Sequence, residues 1–138
     1  MNRPSKTKYY LDIAAVVSAR STCVRRQYGA VIVKNDTIVS TGYNGGARGV
    51  FNCCDAKECY RELHNIPHGQ QYEKCMAVHA EANAIIAARR EDMIGAVLYL
   101  AGFENGERME NPAPCEMCAR LIVNAGISKV VTKEDEDE

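Results

Sequence analysis

The sequence predicts an α/β fold in three layers, with helices on both faces of a mixed sheet of about four strands, five at most. Three observations lead there. Helical signals over residues 7–21 and 79–91 flank a β-branched hairpin pattern. A strand pattern at 96–100 is followed by a third helical stretch, 115–125, and a last strand at 129–132. A helix between two strands of one sheet implies a parallel crossover, whereas a hairpin is antiparallel, so the sheet is mixed.

In residues 7–21, Tyr9, Tyr10, Ile13, Val16 and Val17 recur at spacings of three and four and predict one apolar face, with Ser5 or Thr7 as the cap. Gly29-Ala30-Val31-Ile32-Val33 and Thr37-Ile38-Val39-Ser40-Thr41 predict two strands around an Asn35-Asp36 turn. Gly42-Tyr43-Asn44-Gly45-Gly46 predicts a loop that ends the sheet. Residues 47–76 are the least regular part. They hold Cys53, Cys54, Cys59, Cys75, His64 and His68, with Pro67 and Gly69 as breakers and at most a turn of helix over 60–63. Residues 79–91 predict a helix by propensity, through Ala80, Ala82, Ala84, Ala87 and Ala88. After Gly95, residues 96–100 predict the third strand and 102–113 a polar loop ending in Pro112-Ala113-Pro114. Cys115 to Ala125 predicts a helix closed by Gly126.

A chain of 138 residues is expected to form one domain, here over 1–132, with 47–76 as a Cys-rich insertion. Residues 133–138 are expected to be an acidic, solvated tail. That tail hides the charge of the rest. Without Lys133 and the five acids after it, 16 basic and 13 acidic residues remain, a net charge of +3 rather than −1. This mild positive charge suits a small anionic ligand and is too weak to indicate nucleic acid. No apolar run reaches membrane-spanning length and the N-terminal residues lead into no signal core, so a cytoplasmic location is expected. Seven cysteines, an odd number, with a Cys-x-x-Cys pair favour metal ligation over disulfides.

Chemistry concentrates in two short stretches, Val78-His79-Ala80-Glu81 and Pro114-Cys115-Glu116-Met117-Cys118. One imidazole and two thiolates make a three-ligand zinc set with its fourth position open. A closed structural site would fill all four. A carboxylate two residues from the histidine then reads as the group that moves protons beside the metal. Both stretches fall at predicted helix starts, where exposed amides and the helix dipole favour thiolate and anionic ligands.

At these residues the chain resembles the zinc-dependent cytidine and deoxycytidylate deaminase superfamily, and within it the dCMP deaminase branch. The resemblance runs from Arg20-Ser21-Thr22-Cys23-Val24-Arg25 through Gly29–Val33, Thr41-Gly42-Tyr43-Asn44-Gly45 and Val78–Ala84 to Pro114–Arg120. It implies a cytidine-deaminase-like fold and hydrolysis of dCMP to dUMP and ammonia. His79, Cys115 and Cys118 would hold zinc. Glu81 would carry a proton from water to the ring nitrogen and then to the leaving ammonia. Asn44 matches the family residue that contacts the sugar, and the backbone near Ala80 would hold the base. Tyr43 is a weaker candidate for the pocket wall. Arg25 and Arg26 are candidates for the 5′-phosphate, because guanidinium forks pair well with phosphate oxygens; the competing reading is an exposed basic pair on a loop.

The dCMP branch also implies a second, structural zinc at Cys23 and Cys53, with Cys59 and Cys75 completing the set and His64 and His68 as rivals. The competing reading is that these cysteines are small buried apolar side chains. The resemblance further implies a homo-oligomer, dimer or hexamer, and dCTP and dTTP as effectors. Two alternatives remain. A deaminase of another nucleotide, including adenosine in tRNA, shares the two metal motifs. A zinc-stabilised binding module without catalysis has no use for Glu81.

Overall fold

The computed structural model describes residues 2–49, 65 and 77–134. Expectations for Cys53, Cys54, Cys59, Cys75, His64, His68 and residues 60–63 lie outside the described residues. Helix α1 spans Lys6–Ser18, with the Ser5 hydroxyl accepting from the Lys8 amide as its cap. Strands β1 (Arg26–Lys34) and β2 (Thr37–Tyr43) follow, then the short β3 (Gly45–Gly46) and β4 (Ala77–Val78). Helices α2 (Ala80–Ile86) and α3 (Arg90–Met93) lead to β5 (Val97–Glu104) and β6 (Glu107–Arg108). Helix α4 (Glu116–Ala125) and β7 (Lys129–Val131) end the described chain.

Among the described residues the main sheet has five strands. β1 lies between β2 and β5, antiparallel to both. The far edge of β5 is shared: β6 pairs antiparallel with Phe103–Glu104 and β7 pairs parallel with Val97–Tyr99. The sheet is mixed, and the parallel pair is the one joined through α4, as the sequence predicts. The hairpin also stands. Asn35 and Asp36 both take positive φ, 51° and 59°, which is the two-residue turn whose twist matches the strands.

Alternation along the strands divides the core in two. Ala30, Ile32, Leu98 and Leu100 face α2, α3 and α4 and pack with Ala80, Ala84, Met93 and Ile122. Val31, Val33, Tyr99 and Ala101 face α1 and pack with Tyr10, Leu11 and Ala14. Helices therefore cover both faces of the sheet. No helix among the described residues is long and apolar enough to cross a membrane.

Four local expectations differ from the structure. The buried stripe of α1 is Thr7, Tyr10, Leu11, Ala14 and Ser18, whereas Tyr9 and Val16 are exposed. The reason is close approach: a Cβ on Gly29 would lie 2.0 Å from the carbonyl oxygen of Ala14, so the seam against β1 takes small residues. The helix expected over 79–91 ends at Ile86. Only Ala80, Glu81 and Ala84 of α2 are buried, and packing outweighs propensity once the buried side runs out. The chain becomes extended at Arg89 and returns Met93 to the core. The loop expected over 102–113 begins as strand, because β1 starts at Arg26 and pairs β5 as far as Glu104. The loop expected at 42–46 instead continues β2 to Tyr43 and contributes β3, which pairs with β4.

Candidate metal centre and active site

His79 stands where β4 gives way to α2. Val78 pairs with Gly45, and His79 then caps the helix in extended geometry (φ −71°, ψ 154°) without using its side chain as the cap. The imidazole faces α4. Its Nδ1 lies 3.5 Å from Cys115 Sγ and 3.4 Å from Cys118 Sγ. Cys115 is the N-cap of α4, and its sulfur accepts from the Cys118 amide at 3.4 Å. Pro114 before it is well suited to this entry, since it cannot extend the helix backwards. At the other end, Gly126 closes α4 with φ 90°.

The three ligand atoms lie within 4.8 Å of one another. Tetrahedral zinc with bonds of about 2.3 Å to sulfur and 2.0 Å to nitrogen places those donors about 3.5 Å apart. The two N–S separations fall close to that value, so the donor set fits zinc in both chemistry and spacing. Burial pushes the Cys118 thiol well above its ordinary pKa, reinforced by the nearby Glu81 carboxyl and Cys115. A divalent cation in the centre would reverse that balance by stabilising the thiolates.

Glu81 is held by the same helix start. It is 5% exposed, and burial pushes its pKa up to about 7, partly opposed by its own backbone amide. A buried carboxyl that titrates near neutrality, beside a three-donor metal set, can both take and return a proton. The packing that seats α2 is tight. A Cβ on Gly42 would lie 2.4 Å from both the Ala80 carbonyl oxygen and the Ala84 nitrogen. Ser40 adds a hydrogen bond from its hydroxyl to the Ala84 carbonyl at 2.7 Å. Ala80 itself is fully buried.

The remaining candidates cluster at the end of β2. Asn44 is buried, and its Oδ1 accepts from the Ser21 hydroxyl at 2.6 Å and the Tyr28 amide at 2.8 Å. Its Nδ2 donates to the Arg26 carbonyl at 2.9 Å. Tyr43 is half-buried and its carbonyl accepts from the Asn83 side chain. Arg26 opens β1 rather than lying on a loop, and its guanidinium pairs with Glu104 directly across the strands. Arg25 precedes the strand and is half-buried. Cys23 is a half-buried thiol outside the three-residue donor cluster; Cys53, Cys59 and Cys75 lie outside the described residues. Ser21, Gly42, Asn83 and Glu104 were not singled out by sequence reasoning. Ser21, Gly42 and Asn83 sit inside the recognised segments, so their positions carried a signal. Glu104 had none, because its partner is 78 residues away.

The family model for the cytidine and deoxycytidylate deaminase zinc-binding region matches residues 4–134. The chain belongs to the cytidine and deoxycytidylate deaminase family. Within this deaminase family, it is 40% identical over 136 residues to the deoxycytidylate deaminase of Mycobacterium phage D29, covering 95% of this chain and 96% of that protein. It is 34% identical to the deoxycytidylate deaminase of Schizosaccharomyces pombe over 94% of this chain, but spans only 37% of that longer protein. The apo crystal structure of dCMP deaminase from cyanophage S-TIM5 superposes with a TM-score of 0.66 at 28% identity, covering 94% of this chain and 82% of that one. The deaminase fold and a zinc-fitting donor set are thus found together in this chain.

Proposed function

We propose that this protein is a zinc-dependent deoxycytidylate deaminase, converting dCMP and water to dUMP and ammonia, a step that feeds thymidylate synthesis. The observation that carries the reading is the buried Glu81 carboxyl beside the His79–Cys115–Cys118 donor set. The choice of dCMP is supported by the near full-length likeness to the phage D29 enzyme, and the S-TIM5 protein has been solved in complex with dCMP and dUMP.

In this reading His79, Cys115 and Cys118 hold the ion. Zinc bound there would supply the Lewis acidity that makes water nucleophilic at neutral pH. Glu81 takes a proton from the attacking water as the new C–O bond forms at C4, and passes it to N3 of the ring. It then takes the remaining proton from the C4 hydroxyl and delivers it to the amino group; the C4–N bond breaks as the C4 carbonyl forms, and ammonia leaves. A carboxyl titrating near 7 is matched to both halves of that task. The backbone at Ala80 holds the base, Asn44 faces the sugar with its remaining Nδ2 hydrogen, and Tyr43 lines the pocket. Arg25 takes the 5′-phosphate. Arg26 assists from the strand while paired with Glu104.

The same reading makes residues 1–132 one domain carrying 47–76 as an insertion, followed by a solvated acidic tail at 133–138. Cys23, from the segment before β1, and Cys53, Cys59 and Cys75 of that insertion form a second, structural zinc site. The protein acts in the cytoplasm as a dimer or hexamer that responds to dCTP and dTTP. The test is ammonia release by the zinc-loaded protein with dCMP, CMP, deoxycytidine and a tRNA side by side. Turnover confined to dCMP is expected. Turnover of the tRNA alone, or of none of the four with and without dCTP, would overturn the proposal.

A further inference from the structure

Asn83 is a poor choice for a helix interior on propensity, because its side chain competes for backbone groups. It does so here. Its Nδ2 leaves the first turns of α2 and donates to the Tyr43 carbonyl at 2.8 Å, with the Val78 carbonyl 3.5 Å away. Those are the carbonyls of the peptide groups leading into Asn44 and His79. One carboxamide therefore bridges the end of β2 and the end of β4, on the helix that carries Glu81 two residues earlier.

Asn44 is fixed from its other side. Ser21 donates to both Asn44 oxygens, Tyr28 donates to Oδ1, and the Thr22 amide donates to the Asn44 carbonyl at 3.2 Å. The contacts run from the segment before β1, through Asn44 and Tyr43, to Asn83 and the start of α2. Beside Asn83, the two-residue pairing of Gly45–Gly46 with Ala77–Val78 joins the Asn44 turn to His79, and Gly42 and Ser40 of β2 seat against Ala80 and Ala84.

We infer that Asn83 is a positioning residue. Its carboxamide sets the spacing between the Asn44 turn and the helix start that presents His79 and Glu81, and so couples the sugar end of the pocket to the end where deamination occurs. This rests on the proposed deamination of dCMP. The coupling needs the donor N–H groups as well as the volume of the side chain.

The test compares the zinc-loaded full chain with its N83A, N83D, N44A and N83A/N44A variants. Zinc content, thermal midpoint, kcat and KM for dCMP, and backbone hydrogen exchange are measured. N83A is expected to keep its zinc and lose roughly 10–100-fold in kcat, the scale of a misplacement of about an ångström. Its loss should overlap with that of N44A, so that the double variant is far less impaired than the product of the two. Exchange in peptides covering 42–46 and 77–80 should rise together. N83D should recover relative to wild type as pH falls, because a protonated carboxyl regains a donor for the Tyr43 carbonyl. Wild-type kcat per bound zinc in N83A, or losses that multiply with those of N44A, would refute the coupling. If the wild type proves inactive on dCMP, the functional proposal fails separately, and exchange decides this one: unchanged exchange in N83A rules it out. Should N83A fail to fold, Asn83→Ser takes its place with the same readouts.

Discussion

The Nδ1 atom of His79 lies 3.4 Å from the sulfur of Cys118, a residue 39 positions further along the chain. Neither residue reaches the other through its own element. α2 and α4 pack on the same face of the sheet, through Ala80, Ala84, Ile122 and Ala125, and their N-termini meet. The donor set is thus a consequence of core packing.

Cys118→Ser is expected to abolish binding at this centre while leaving the sheet intact. For a metal that binds only the folded state, a free concentration about 100 times its Kd stabilises by about 2.7 kcal/mol. Thermal midpoints measured across a zinc titration should rise for the wild type. That zinc-dependent rise should shrink in the variant. An unchanged rise would place the ion elsewhere.

Glu81→Gln preserves shape and removes the proton carrier. The expected loss in kcat for dCMP is about 10²–10⁴-fold, with zinc stoichiometry unchanged. Metal analysis and steady-state kinetics on one preparation check both halves. Activity within about threefold of wild type would leave Glu81 without its assigned role.

Gly42→Ala tests the seating of α2. The added methyl would meet helix backbone at 2.4 Å, where no flexible side chain can yield. A destabilisation of about 1–3 kcal/mol is expected, together with a drop in kcat, because the helix that must shift carries Glu81 and follows directly from His79. Denaturant midpoints and kinetics measure the two effects. The corresponding substitution at Gly95, where an added Cβ meets nothing within 4 Å but φ is 81°, should lower stability through backbone strain without the same effect on kcat.

Arg25→Ala should raise KM for dCMP by about 10–150-fold, the range for losing hydrogen bonds to a charged group, and change KM for deoxycytidine far less. Equal effects on both substrates would remove Arg25 from the phosphate site.

The turn between β1 and β2 should respond to pH through Asp36. The Tyr10 hydroxyl, and after it Lys6, hold this carboxyl below its ordinary pKa. Its contribution is therefore present above the ordinary value of 3.8 and is lost as pH falls through the lower, folded value. Burial, then Asp36, push Tyr10 up to about 12, so the tyrosine's contribution is lost as pH rises from about 10 towards 12. Melting curves of Tyr10→Phe and wild type should differ most between these limits and converge at low pH, as Asp36 protonates. A constant difference across the whole range would exclude the linkage.

Local patterns were enough for much of this protein. The helix from Glu116 to Ala125 is bounded by Cys115 and Gly126, and the hairpin turns at Asn35-Asp36, because caps and turns depend on residues within a few positions of one another. The two metal motifs were legible for a similar reason: ligand spacing within a motif is local, and the residue types are few. Other features were decided only by tertiary structure. The seam of α1 is chosen by Gly29 on another element, the end of α2 by where the core stops, and Arg26's partner by the register of β1 on β5. Glu81 titrates near neutrality because the fold buries it, which no neighbour in the sequence dictates. Periodicity and caps are short-range properties of a chain, whereas burial, register and close approach depend on which surfaces meet.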